Sequence, residues 1–379
     1  LVYCTPCLQG DFILQKQMRS GITTGTCAAA AAKAALLAWM GETPTTVDVA
    51  SPQGHIINVK IATSQRLSSG GEASIIKDAG DDPDVTHGTI ISAKVIINKT
   101  NEIILQAGVG VGIVTKPGLS VAVGQPAINP GPRKMIMQAI QEILPADHGV
   151  TVTISIPDGE KLAKRTLNPT LGIIGGLSII GTTGIVEPMS EEAFKNSLSP
   201  QISMVKALGY NQVVFAPGKI GQDIAIKKYN IPAETVIQTS NFIGHMLESA
   251  VHYDMKEVLL FGHLGKLVKV AAGIFHTHNR VADARFETLA ANMAALGAPQ
   301  QAIQEILACN TTEAAMPIIA KYRVEDVYRV IAEKVSMRAE RYVFGDLIVG
   351  TAVITLQGDL LAIDDRAREI GGKLGWNIK

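Results

Sequence analysis

Apolar and polar positions divide the chain into two stretches with different rhythms. After an N-terminal tail, residues 1–18, five consecutive alanines at 28–32 open a small-residue apolar run. Alanine has the highest helix propensity and leaves a flat surface, so this run predicts a helix over about 27–40 that can lie close to a sheet. Between residues 45 and 110 the pattern changes to short β-branched runs at 46–49, 56–61, 90–97 and 103–105. Turn signals such as Ser51-Pro52-Gln53-Gly54 and Asn98-Lys99-Thr100-Asn101 separate them, which predicts antiparallel hairpins. A helix over 132–144, a strand over 150–156 and a glycine-rich stretch at 172–184 follow. Together these predict an α+β N-terminal domain with antiparallel strands, residues 19–203.

From about residue 205 the rhythm shifts again. Short apolar runs at 213–215, 236–238 and 258–261 each lead into a small-residue turn and then a helical segment. Such strand–turn–helix units form parallel sheets with right-handed crossovers. Alanine-rich helices are expected over 283–341, and 347–356 with 360–363 flank Gln357-Gly358-Asp359 as a hairpin. The second expected domain, residues 204–379, is therefore α/β and Rossmann-like, with a mainly parallel sheet.

Composition narrows the function classes. The chain has 379 residues, 47% hydrophobic and 18% charged, and Lys plus Arg balances Asp plus Glu at 34 each. A nucleic-acid binder carries a basic excess or stripe, and neither is visible; aromatics at 4% also disfavour base-stacking surfaces. No apolar run reaches the roughly 18 residues needed to span a bilayer, and residues 1–18 lack a signal-peptide pattern. Cys4 and Cys7 form a lone CxxC with no second pair for zinc, so they read as an inert tail. A cytoplasmic protein is expected.

Six segments carry candidate chemistry. Gly21-Ile22-Thr23-Thr24-Gly25-Thr26-Cys27 puts hydroxyls and glycines at a helix start, where free N–H groups hold an anion or where Thr24 or Thr26 simply caps the helix. Cys27, without a neighbouring base, reads as packing. Lys77-Asp78-Ala79-Gly80-Asp81-Asp82-Pro83-Asp84 gathers four carboxylates, suited to a positive ligand or to a solvated turn, with His87 close behind. Gly124 to Lys134 is proline-rich and stiff, ending in Arg133, which can fork onto a carboxylate or merely close a connector. Gly175 to Gly184 offers either close backbone approach to a ligand or tight turns. Gly262-His263-Leu264-Gly265-Lys266 follows a strand and opens a helix, the place where open α/β sheets bind ligands; it is not a Walker A loop. His276-Thr277-His278-Asn279-Arg280, with Asp283 and Arg285, reads as a polar active-site rim. The two histidines share a face on a strand, and no third metal ligand is evident.

Taken together these segments resemble the cobalt-precorrin-5B (C1)-methyltransferases of anaerobic cobalamin biosynthesis. The resemblance is carried by residues 23–31, 77–87, 126–130, 181–186, 262–267 and 271–278, in the family's order. Gln125 and Gly131 depart from the family pattern, where an acid and a valine are usual. The resemblance implies transfer of a methyl group from S-adenosylmethionine to ring carbon C1 of cobalt-precorrin-5B, giving cobalt-precorrin-6A. It implies no protein-bound metal, since cobalt belongs to the substrate; composition and the apolar runs leave no nucleic-acid or membrane partner expected, and a homo-oligomer is possible. Sequence physics alone does not name this cofactor: Phe215 is not followed by the usual glycine-rich loop, and no acid follows the strand at Gln238-Thr239-Ser240.

The macrocycle carries acetate and propionate groups, so cations and hydroxyls are expected to hold it, in a cleft between the domains. Thr23, Thr24, Arg133, Lys266, His276, His278, Arg280 and Arg285 are the expected substrate-binding residues. Asp78, Asp81, Asp82, Gly262, His263 and Gly265 are the expected cofactor-binding residues, and no catalytic base is assigned. A non-catalytic tetrapyrrole carrier of the same pathway and a nucleotide-using phosphotransferase are the alternatives, separable by titration with S-adenosylhomocysteine and with ATP.

Overall fold

The computed structural model describes residues 18–376, so the Cys4/Cys7 pair lies outside the described residues. The chain divides into two compact units: residues up to Thr115 with Ser120–Ser190, and Lys116–Leu119 with Glu191–Lys379. The divide falls ahead of the expected one after residue 203, because the helices Glu191–Leu198 and Pro200–Ala207 belong to the second unit.

In the first unit the alanine helix, Thr24–Met40, lies on a mixed five-stranded sheet. The sheet order is Thr63–Leu67, Gly70–Ile76, Ile90–Asn98, Gly149–Ser155, Ile103–Ala107. Helix residues Cys27 to Ala32 are all 0% exposed, and the core joins them to Val95, Val150, Val152 and Ile154. The hairpin Thr46–Ala50 with Ile56–Lys60 is antiparallel, as the sequence predicts. The hairpin expected between 90–97 and 103–105 does not form. Gly149–Ser155 inserts between those strands, antiparallel to one and parallel to the other. The physical reason is burial: Val150, Val152 and Ile154 are fully buried and take an interior position, while Ile104 is 37% exposed on the sheet's edge.

Two strands, Thr63–Leu67 and Gly70–Ile76, are absent from the sequence reading because one is polar and the other opens on two glycines. Gly71 has a definite purpose. A Cβ there would lie 1.9 Å from the carbonyl oxygen of Ala35, so only glycine lets the helix backbone approach the sheet this closely.

The second unit holds a five-stranded sheet in the order Val236–Gln238, Gln212–Ala216, Glu257–His263, Ile348–Ile354, Leu360–Ile363. The first four are parallel and the last is antiparallel. In chain order this is 2-1-3-4-5, so the strand order reverses between Gln212–Ala216 and Glu257–His263. Crossovers leave those two strands in opposite directions, and the carboxyl ends beside such a reversal are the usual ligand position in these sheets. The expected helical stretch resolves into Arg285–Ala295, Gln300–Leu307, Thr312–Lys321 and Asp326–Tyr342. Among the described residues, no helix is long and apolar enough to cross a membrane.

Candidate functional site

The start of the alanine helix is sealed by the chain itself. Thr23 is the N-cap, its Oγ1 accepting from the Thr26 amide at 3.2 Å, and the helix begins at Thr24, three residues before the expected start. The Gly25 amide donates to Ile180 O at 2.9 Å, and Thr26 Oγ1 donates to Gly184 O at 2.6 Å. Thr24 Oγ1 both donates to Ile180 O and accepts from the Ile180 amide. The glycine-rich 181–184 loop thus wraps the helix start, and Gly181, at φ +137, faces Thr23, where a Cβ would lie 2.3 Å from Oγ1. Of the two readings, capping is what the geometry realises, with Thr23 as the cap in place of the expected Thr24 or Thr26, and the Thr23 and Thr24 hydroxyls are already engaged. Cys27 is buried, and that burial pushes its thiol up to about 12, in keeping with packing.

The acidic loop is equally occupied. Arg19 forks onto Asp78 at 2.5 and 2.8 Å, and its own amide donates to Asp81 at 2.7 Å. The Arg19 hydrogen bond and the Gly80 amide hold the Asp78 carboxyl at about 2. Asp82 accepts from the Met189 amide at 2.9 Å. Asp84 meets Lys77, only 1% exposed, at 2.6 Å. Burial pushes the Asp84 carboxyl up, but Lys77 and Thr86 outweigh it and the net shift is downward. His87 Nδ1 accepts from the Ala79 amide. These bonds pin the short pair Gly21–Ile22 with Ile185–Val186, the two strands that close the first unit. Arg133, on the helix Pro130–Gln141, has no side-chain partner among the described residues and lines a groove of about 490 Å³ with Met137 and Gln141.

The second unit gathers the remaining candidates at the carboxyl edge of its parallel sheet. The strand Glu257–His263 ends at the helix Leu264–Ala271, and His263 caps that helix by accepting from the Gly265 amide at 2.9 Å. Gly265 is small so that the ring can fold back: a Cβ would lie 2.7 Å from His263 Cε1. Gly262 faces the neighbouring strand's end, where a Cβ would meet Pro217 Cδ at 2.9 Å. Burial lowers the His263 imidazole, Lys266 and Arg285 adding to the effect and Glu313 opposing it, which favours the neutral ring.

Past that edge, residues 239–242 lie antiparallel to 275–278 through the Phe242/His276 pair and the Thr277 amide bonded to Asn241 O. Alternation puts Phe242 and His276 on one face and Asn241 and Thr277 on the other. The front face borders a pocket of about 200 Å³ lined by Lys195, Phe242, His245, Glu248, His276 and Tyr342, with the Phe242 and His276 rings 4.9 Å apart. His276 and His278 have ring centroids 6.5 Å apart, as a shared face requires. Behind, Lys266 donates to Asn241 Oδ1 at 2.5 Å and lies 3.4 Å from Thr277 O. Burial and the neighbouring charges of Lys269 and Arg285 lower the Lys266 ammonium. Arg285 is paired to Asp283 at 2.7 and 2.8 Å, whereas Arg280 is exposed without a side-chain partner among the described residues.

The structure therefore brings together Gly262, His263, Gly265, Lys266, His276, His278, Arg280 and Arg285 around one sheet edge. Thr23, Thr24, Asp78, Asp81, Asp82 and Arg133 belong to the first unit. Sequence reading missed Lys269, which is 1% exposed, and the asparagines Asn241 and Asn279. The i, i+3 spacing of Lys266 and Lys269, which puts both on one helix face, was the available signal. Among the described residues no group of three or more His, Cys, Asp or Glu is arranged to hold a metal ion.

Comparison with known proteins covers both units. Residues 13–188 match the family model described as CbiD, and residues 276–365 match that of the CbiD C-terminal domain. The cobalt-precorrin-5B C(1)-methyltransferase of Moorella thermoacetica is 52% identical over 364 residues, covering 96% of this chain and 99% of that protein. The protein of the same name from a Thermoanaerobacter species is 46% identical, with 95% and 98% covered. A crystal structure of a cobalamin biosynthesis protein (cbiD) from Archaeoglobus fulgidus is 30% identical, covers 71% of this chain and 84% of that one, and has a TM-score of 0.39.

Proposed function

This chain belongs to the CbiD family, and from that premise we propose that it transfers a methyl group to ring carbon C1 of cobalt-precorrin-5B. S-adenosylmethionine is the donor in this reading and cobalt-precorrin-6A the product, in anaerobic corrin-ring assembly in the cytoplasm. The observation that carries it is the 52% identity to a relative of that name over 99% of the relative's length, which includes both units.

The sulfonium of S-adenosylmethionine supplies an already electrophilic methyl, and an electron-rich ring carbon is its acceptor. The chain then has three tasks: to orient the two, to keep water out, and to neutralise the macrocycle's carboxylates. No protein nucleophile is required. The donor set at the sheet edge fits an anionic group, because the Lys266 ammonium has only neutral oxygens around it and no carboxylate partner among the described residues. In this reading Lys266 stands beside the strand-order reversal, where a cofactor carboxylate or a ring carboxylate would be held. Arg280, without a side-chain partner among the described residues, serves the macrocycle's outer carboxylates. His276 and His278 offer ring faces and N–H donors on the front of the 275–278 segment. Asp78, Asp81 and Asp82 act at one remove, by fixing the ends of the first unit.

The deciding experiment is an oxygen-free incubation of the purified protein with cobalt-precorrin-5B and S-adenosylmethionine. The tetrapyrrole is expected to gain the mass of one methyl group as S-adenosylhomocysteine appears. An unchanged tetrapyrrole mass with properly folded protein would overturn the reading.

A further inference from the structure

We propose that Lys269 is a positioning residue, its buried ammonium bracing the 277–282 segment from behind so that His276, His278 and Arg280 are presented to the tetrapyrrole. The role of the presented face rests on the substrate reading above; the bracing itself does not.

An ammonium that is 1% exposed is costly unless every N–H finds an acceptor. Lys269 has three donors and three acceptors: Asn279 Oδ1 at 2.6 Å, Ala282 O at 3.0 Å and Thr277 O at 3.3 Å. All three acceptors lie on one six-residue stretch, which otherwise has little regular structure. The side chain therefore ties that stretch to the helix Leu264–Ala271, and through it to the end of the central strand Glu257–His263. Lys266, three residues earlier on the same helix face, adds a tie from Asn241 to the rear of the ribbon.

The choice of partners is informative. The buried Lys77 of the first unit meets a carboxylate, whereas Lys269 meets only neutral oxygens, and the nearby Asp283 is taken by Arg285. A lysine serving only to hold a loop would be better neutralised by an acid. With no hydrogen-bonded carboxylate, and with Asp283 at Coulombic range only and bonded to Arg285, its charge lies beside a segment that carries His276, His278 and Arg280. For a polyanionic ligand that charge adds attraction as well as order. Lys269 is thus both brace and field source, without touching substrate.

Replacing Lys269 by Met keeps the length and removes the charge and the donors. In K269M the KM for cobalt-precorrin-5B is expected to rise about tenfold, with kcat and the donor's KM changing less than about twofold, as loss of uniform substrate binding requires. In ligand-free K269M, hydrogen–deuterium exchange at the Thr277 amide and across 278–282 should accelerate while the strand Glu257–His263 stays protected. Wild-type KM and exchange in K269M would overturn the proposal. So would a parallel loss of kcat and of affinity for both reactants together with a lower melting temperature. If K269M does not fold, N279A removes one acceptor from an exposed position and should show the same changes at smaller size; unchanged KM and exchange in N279A then reject it. The exchange readout needs no reaction. Failure of the wild-type protein to methylate, with K269M still showing the predicted exchange pattern, therefore refutes the substrate reading and leaves the brace standing.

Discussion

The acidic loop of the first unit and the basic edge of the second treat charge in opposite ways. Around residues 77–87 each carboxylate has a donor of its own: Asp78 has Arg19, Asp81 the Arg19 amide, Asp82 the Met189 amide and Asp84 the buried Lys77. At the other edge, Lys266 and Lys269 are solvated by carbonyl and amide oxygens, and Arg280 has no side-chain partner among the described residues. Matched charge is spent on holding the chain together. Unmatched charge is available to something that comes from outside, and its placement at the carboxyl end of a parallel sheet agrees with that use. Density of charge in a sequence therefore says less than whether the fold completes the pairs.

The sharpest way to break this contrast is to unpair a matched charge. Replacing Lys77 by Met strands a largely buried Asp84, and the first unit should lose about 3 kcal/mol of stability in urea unfolding. Trp39 reports on the first unit and Trp376 on the second, so a W376F background isolates the effect by fluorescence. Acid probes the same pair. Because the folded Asp84 carboxyl lies below its ordinary value, its stabilisation is present above about pH 4 and is lost as pH falls through the folded value. D84N should flatten the acid limb of the first unit's melting profile. In the second unit, Asp364 has the opposite sign: burial raises its carboxyl, against the bonds from Ser336, Ala367 and Thr351, so its contribution is withdrawn as pH rises through that higher value. An unmatched charge should behave differently. R280A is expected to change stability by no more than about 0.5 kcal/mol while weakening tetrapyrrole binding about tenfold, read by titration. D78N should leave that affinity unchanged, and a loss comparable to that of R280A would erase the distinction. The smallest of the expected losses of first-unit stability belongs to T23A, which removes a helix cap and should cost about 1 kcal/mol in the same urea assay.

Local signals carried much of the fold. The alanine run marked its helix, and the short apolar runs followed by turns marked a parallel sheet, because both patterns lie within a few residues of each other. Pairing was harder. Ile103–Ala107 looks like the return strand of Ile90–Asn98, and only burial of the later Gly149–Ser155 shows which strand lies inside and which at the edge. Glycines concealed Gly70–Ile76, since a strand that must admit a helix backbone sheds the side chains that would advertise it. At the candidate site, residue types were legible but partners were not. Asp78, Asp81 and Asp82 stood out by charge, yet their donors come from Arg19 and Met189, far away in sequence. Lys269 was hidden for the converse reason: in Leu264–Ala271 a lysine beside apolar residues reads as the solvent side of an amphipathic helix, and nothing local says that Thr277, Asn279 and Ala282 will cover it.

The closing pair Gly21–Ile22 with Ile185–Val186 has a consequence for biogenesis. The helix start near Thr23 waits for the carbonyls of Ile180 and Gly184, which are translated more than 150 residues later. At roughly 5–20 residues per second, that delay is on the order of ten seconds. Throughout it the nascent alanine segment lacks its final lid, so a pulse-chase would find protease resistance of this half arriving late on the ribosome, only after position 186 has cleared the exit tunnel.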